Sequence, residues 1–306
     1  MIYPKKLEKG DTIGIICPSS PISEERQTQC IQALESLGYK VKAADNLTKN
    51  LGGYMAGTGE ERGKWINKMF ADPEVDAIFC VRGGDGGSRC MEHIDIDIVK
   101  NNPKIFVGYS DITSMHMYFN QKADLVTFHG PMVSSNIVDS FDEETSKALF
   151  AALNGDGTYE FVNPEGCPIE VMKPGKATGP VIGGNLSLVS AAMGTPYEMD
   201  AKGKIIFIEE VSEPVTKIEK WCYHLKNAGK FKDCKGIILG QFTGITNSDM
   251  PEYTVIDCIR EILADVDVPV MYNIQSGHGD KMITIPFGAN CTMDTAKKSL
   301  TFEINR

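Results

Sequence analysis

Alternation is the feature that most constrains this 306-residue chain: short apolar runs and helical periods take turns through its first half. Thr12–Cys17, Lys40–Ala44, Val75–Val81, Ile105–Val107 and Leu125–Phe128 read as strands. Between them, Glu24–Leu37 puts Ile31, Leu34 and Leu37 on one face behind a Ser23 cap. Glu60–Phe70 does the same with Trp65, Ile66, Met69 and Phe70, and stops at Asp72-Pro73. Strands separated by helical periods argue for a parallel sheet covered on both faces. The predicted fold class is α/β, with an N-terminal doubly wound domain over residues 1–157. Ligands of such sheets collect at the carboxyl ends of the strands, where Cys17–Ser20, Arg82–Gly87 and Ser110 fall.

After the helix Glu143–Leu153, the run Asn154-Gly155-Asp156-Gly157 is a stop and a turn. Residues 158–180 change texture, with short extended runs broken by Pro164, Gly166, Pro168, Pro174 and Gly175, and read as a linker. Residues 181–306 then form a second α/β domain, with helices at Leu186–Met193, Val215–Ala228 and Val255–Leu263 and strands at Lys204–Glu209 and Gly236–Gly240.

Within the first domain, Val107-Gly108-Tyr109-Ser110-Asp111 places a serine at the turn between an apolar strand and a helix. Such an elbow exposes a hydroxyl beside the first helical N–H groups and the positive end of the helix dipole, the setting of an acyl-transfer nucleophile. Ordinary N-capping by Ser and Asp explains the same residues, and the second glycine of G-x-S-x-G is absent.

A base and an orienting acid are sought elsewhere. His278 lies between glycines in Gly277-His278-Gly279, which leaves its imidazole uncovered; His93, His116, His129 and His224 read as structural. The strand Ile205–Ile208 runs into Glu209-Glu210 at the sheet rim, where plain solvation also accounts for carboxylates. The glycine-rich turn Arg82–Gly87 reads as an oxyanion-hole loop, as a phosphate loop, or as a tight turn needing positive φ. Its Gly83-Gly84-Asp85-Gly86 matches the G-G-D-G stretch of NAD and diacylglycerol kinases, so a nucleotide kinase built on Gly83–Asp85 is a rival reading. A non-catalytic sugar- or peptide-binding module is another.

Composition removes other classes. A net charge of −10 with no basic run argues against nucleic acid as partner. No stretch approaches the roughly 18 apolar residues of a membrane span, and no signal peptide is visible, so no membrane partner is expected. Nine cysteines without a C-x-x-C pair read as small core residues in a reducing, cytoplasmic compartment. No His or Glu spacing suits a metal, so neither metal nor organic cofactor is expected.

The order of these elements resembles the LD-carboxypeptidases, the murein tetrapeptide carboxypeptidase family of serine peptidases, over nearly the whole chain. The resemblance rests on Cys17-Pro18-Ser19-Ser20-Pro21, Ala56–Arg62, Ala71–Ile78, Arg82-Gly83-Gly84, Gly108-Tyr109-Ser110-Asp111, Phe128-His129-Gly130-Pro131, Gly183-Gly184-Asn185-Leu186, Ile208-Glu209-Glu210 and Gly277-His278-Gly279. It implies a C-terminal domain of swivelling type, a site between the domains, and a homodimer. It makes Ser110 the nucleophile, His278 the base and Glu209 the acid that orients it, with the Asp111 and Gly84 amides at the oxyanion. The family usually has Glu-Asp where this chain has Glu209-Glu210, which leaves both acids open as the histidine's partner. Many members have Arg-Gly-Gly-Tyr-Gly where this chain has Asp85. The implied substrate is a small peptide, cytoplasmic murein tetrapeptide, which loses its terminal D-Ala in peptidoglycan recycling. Arg82 is the candidate for the substrate's terminal carboxylate, with a structural ion pair as the competing role. The rival within the family is a microcin-immunity-type peptidase that cleaves aminoacyl-nucleotide amides.

Overall fold

The computed structural model describes residues 1–306. The strands of the first half are β1 (Thr12–Ile16), β2 (Lys40–Ala43), β3 (Ala77–Cys80), β4 (Ile105–Gly108) and β5 (Thr127–His129). Those of the second half are β6 (Gly157–Phe161), β7 (Glu170–Lys173), β8 (Lys176–Asn185), β9 (Ile205–Val211), β10 (Gly236–Thr243), β11 (Val270–Tyr272), β12 (Ile285–Phe287), β13 (Asn290–Asp294) and β14 (Ser299–Ile304).

They form two sheets, in the orders β12-β5-β4-β3-β1-β2 and β6-β14-β13-β8-β9-β10-β11-β7. In the first sheet β1 to β5 are parallel, and the chain order reverses between β1 and β3. That switch point opens a crevice at the carboxyl ends of the strands, beside Ser20 and the Arg82–Gly87 loop. Its covering helices begin as their sequences dictate. The Ser23 hydroxyl accepts from the Arg26 N–H at 3.1 Å, and Thr58 with Glu61 forms a reciprocal capping box.

In the second sheet β8 to β11 are parallel, and β6, β7, β13 and β14 are antiparallel additions. Residues 158–180, predicted as a linker, are built into this sheet as most of β6, all of β7 and the start of β8. Pro164, Gly166, Pro168, Pro174 and Gly175 fall in the turns between these strands, which is why the segment looks broken in sequence. The 181–306 unit is likewise not closed on itself, because β12 returns to pair antiparallel with β5 of the first sheet.

Strand β8 serves two neighbours in succession. Its first half pairs antiparallel with β13 up to Pro180, and its second half runs parallel to β9 from Val181 to Asn185. The end of β8 then touches the first sheet's helix Thr113–Lys122: the Asn185 N–H donates to Thr113 Oγ1 at 2.9 Å. Any β-carbon at Gly184, whose φ is +134°, would run into that threonine. The larger hydrophobic core is continuous through both sheets, joining Phe106 and Phe128 to Phe207, Ile285 and Phe302. A smaller core lies under the helices of the second sheet. No helix is long and apolar enough to cross a membrane.

Two histidines sit inside the larger core. His116 is fully buried, with Nδ1 2.8 Å from Thr127 Oγ1 and Nε2 2.8 Å from the Gly108 carbonyl. Burial pushes its pKa down to about 4, and pushes that of His129 down as well. A base that folds neutral contributes stability that is present above its unfolded pKa, near 6.5, and is lost as pH falls toward the folded value. Urea unfolding is therefore expected to show stability dropping by about 3 kcal/mol or more between pH 7 and pH 4, with a shallower slope in His116→Gln. A flat profile over that window would contradict this account.

Candidate active site

At the end of β4 the chain turns within two residues. Tyr109 is extended, Ser110 takes a φ of +64°, and a 3-10 turn over Ser110–Ile112 feeds the helix Thr113–Lys122. The predicted helix start at Asp111 becomes this tighter turn. Left-handed backbone at a serine costs on the order of 1–3 kcal/mol and persists where surrounding packing imposes it. The Arg82–Gly87 loop supplies part of that packing: a β-carbon at Gly83 would lie 3.1 Å from Ser110 Oγ. The Gly84 N–H of this loop donates to no acceptor within the protein.

The second sheet brings the acid. The β8–β9 register sets Glu209 opposite Asn185, beside the contact with Thr113. Glu209 has no solvent exposure, and its Oε2 lies 2.6 Å from His278 Nδ1. His278 sits in the connection from β11 to β12, which crosses from the second sheet to the first. Its ring meets the Tyr109 ring edge-on, centroids 4.9 Å apart. The imidazole thus lies against both Glu209 and the residue preceding Ser110, leaving Nε2 as the ring nitrogen not held by the carboxylate.

The open choice between the two glutamates has a clear geometry. Glu210 points to the other face of β9, where it accepts from Asn185 Nδ2 at 2.8 Å, from the Ser187 N–H at 2.8 Å and from its own strand at Val211. It caps the helix Leu186–Ala191, and Glu209 alone contacts His278. Burial is the largest influence on both members of the pair. It raises the Glu209 pKa against the pull of His278. It disfavours the His278 cation, but the Glu209 carboxylate, aided by Glu210, outweighs it and holds the His278 pKa above the ordinary value.

The loop that presents His278 is clamped by a residue the sequence did not flag. Gln241 at the end of β10 accepts from the Gly279 N–H at 2.8 Å and donates to Gln275 Oε1 at 3.0 Å and to the Lys281 carbonyl at 3.3 Å. Lys281 in turn pairs with Asp142 and Glu144, both at 3.0 Å, at the start of the helix Glu143–Asn154. A polar residue at the end of an apolar strand was the only signal for Gln241, and it is shared by many solvated positions. Arg82 is exposed and makes no ion pair. It lines an open cavity of about 830 Å³ with Ser20, Ser23, Arg26, Tyr54 and Ser134.

Comparison with known proteins identifies the class. The LD-carboxypeptidase N-terminal domain model matches residues 13–130, and the LD-carboxypeptidase C-terminal domain model matches residues 178–293. A "Probable murein peptide carboxypeptidase" of Bacillus subtilis is 37% identical over 301 residues, covering 98% of this chain and 94% of that protein. The chain belongs to the LD-carboxypeptidase family, a family of peptide hydrolases. The "Microcin C7 self-immunity protein MccF" of Escherichia coli is 28% identical over 328 residues, 96% of this chain and 94% of that one. The fold is shared with a solved muramoyltetrapeptide carboxypeptidase from Oxalobacter formigenes at a TM-score of 0.84 and 24% identity, covering 96% and 99% of the two chains. Nothing in these likenesses supports a kinase reading of Gly83–Asp85.

The charge arrangement has a direct spectroscopic consequence. An NMR titration should place the His278 pKa above the ordinary histidine value of about 6.5. Glu209→Gln removes the main raising influence and leaves burial, so the value should fall below 6.5, whereas Glu210→Gln should move it much less. An unchanged His278 titration in Glu209→Gln would refute the pairing.

Proposed function

We propose that this chain is a cytoplasmic serine LD-carboxypeptidase that removes the terminal D-Ala from murein tetrapeptide during peptidoglycan recycling. The observation that carries the reading is the buried Glu209–His278 pair, 2.6 Å apart, set against the strained turn that holds Ser110. His278 Nε2 takes the Ser110 proton while Oγ attacks the acyl carbonyl. Glu209 holds Nδ1–H, fixes the tautomer and stabilises the cation that forms. The oxyanion is received by the Asp111 and Gly84 N–H groups. The proton then passes to the leaving D-Ala amine, and water, activated by the same imidazole, releases the acyl group. Arg82, exposed and unpaired beside the glycine loop, receives the terminal carboxylate of the peptide.

The alternative substrate, an aminoacyl-nucleotide amide, draws support from the likeness to the microcin self-immunity protein, at 28% identity against 37% for the murein peptide carboxypeptidase. The murein reading leads on that difference.

Mass spectrometry of defined peptides tests it. The protein should release one D-Ala from L-Ala-γ-D-Glu-diamino acid-D-Ala and act poorly on the pentapeptide ending in D-Ala-D-Ala, whose last bond joins two D-centres. An acyl residue whose α-carbon has the wrong hand turns its carbonyl away from oxyanion hydrogen bonds worth about 3 kcal/mol, or roughly a hundredfold in rate. Equal rates on both peptides would remove the LD assignment. Cleavage of an aminoacyl sulfamoyl adenosine alone would move the protein to the immunity branch.

A further inference from the structure

Asp111 enters the proposed mechanism only through its backbone N–H, yet its side chain is buried, with 4% exposure, directly behind the turn. Its Oδ2 accepts from the Gly87 N–H at 2.6 Å. The approach is so close that a β-carbon at Gly87 would lie 2.7 Å from that oxygen. This bond ties the Ser110 turn at the end of β4 to the far end of the glycine loop at the end of β3. The same loop is held from its other side by Arg62, which is 1% exposed. Arg62 donates to the Gly86 carbonyl at 2.7 Å and to the Pro18 carbonyl. Ser20 closes the near end, donating its N–H to the Gly83 carbonyl at 3.3 Å and accepting from the Asp85 N–H at 3.3 Å.

Gly84 therefore sits in a span anchored at both ends, and the anchor at the Gly87 end is the side chain of the residue whose own N–H is the other proposed oxyanion donor. We propose that the Asp111 carboxylate is a positioning residue: through Gly87 it fixes the glycine loop so that the Gly84 and Asp111 amides converge on one point. This inference rests on the serine-peptidase reading of Ser110 and extends it to the rigidity of the hole. A donor pair that must close on the oxyanion at the moment of reaction gives up the advantage of preorganisation. Loss of the Asp111 anchor is thus expected to appear in the transition state and to leave ground-state binding of the peptide nearly unchanged.

The test uses the full-length protein, the tetrapeptide as substrate and a simple alkyl boronic acid as probe. The boronate becomes tetrahedral on a serine and places an oxygen in the hole without needing a peptide. Asp111→Ala should lower kcat about a hundredfold with KM within about threefold, and should weaken boronate binding by a similar factor. Asp111→Asn keeps an oxygen for the Gly87 N–H and should stay within about tenfold of wild type in both. Asp111→Ser, too short to reach Gly87, stands in should Asp111→Ala fail to fold. A folded Ala or Ser variant with wild-type kcat and boronate affinity would overturn the inference, as would an Asn variant as impaired as Ala. A wild type that binds boronate but leaves the tetrapeptide intact refutes only the substrate, and the Asp111 comparison then proceeds on the boronate. A wild type that does neither has no oxyanion hole, and both readings fall.

Discussion

A carboxylate with no contact with water is the constraint around which the two halves of this protein are arranged. Glu209 lies toward the carboxyl end of a parallel strand, fully buried, where an unpaired charge would be costly enough to unfold a marginal domain. Its Oε2 meets His278 Nδ1 at 2.6 Å, on a connection that crosses from one sheet to the other. The buried carboxylate gains that partner only when the connection is seated. Removing one member of such a buried pair typically costs about 3–5 kcal/mol, so variants at Glu209 must be checked for folding before their chemistry is interpreted.

Seating the connection requires the sheets to be registered on each other. β8 changes partners at Pro180, and its parallel half ends beside Thr113, in the helix that follows Ser110. β12 returns to β5, and a single hydrophobic core runs through both sheets. The Tyr109 ring completes the contact by packing edge-on against His278. Ser110 from the first sheet and the Glu209–His278 pair from the second are thereby held in one packed body.

Much of this was legible because it depends on local pattern. The strand and helix periods of the first half, the Ser23 cap and the turn at Ser110 are set by residues a few positions apart, and they appear close to where the sequence predicts them, with the helix after Ser110 starting at Thr113 rather than at Asp111. The α/β class and the two-sheet organisation follow from the same periodicity. The misreading of residues 158–180 has the opposite cause. β6 and β7 are short strands that pair with β14 and β11, more than 90 residues away, and no local signal marks a partner at that distance. The glutamate pair was ambiguous for a related reason. Glu209 and Glu210 face opposite sides of β9, and only the position of β8 and its helix makes one a cap and the other the histidine's partner. Arg62 and the Asp111 carboxylate were invisible as anchors, since a buried charge reads in sequence like a solvated one.

The central claim is that Ser110 is a hydroxyl activated by a histidine delivered from the other sheet. Peptide mapping after exposure to a fluorophosphonate measures this directly, because the reagent reports an activated serine whatever the natural substrate. The account predicts one adduct per chain, on the peptide containing Ser110, and its loss in a folded His278→Ala variant. Labelling at a different serine, or labelling of Ser110 that persists at the wild-type rate without His278, would contradict it.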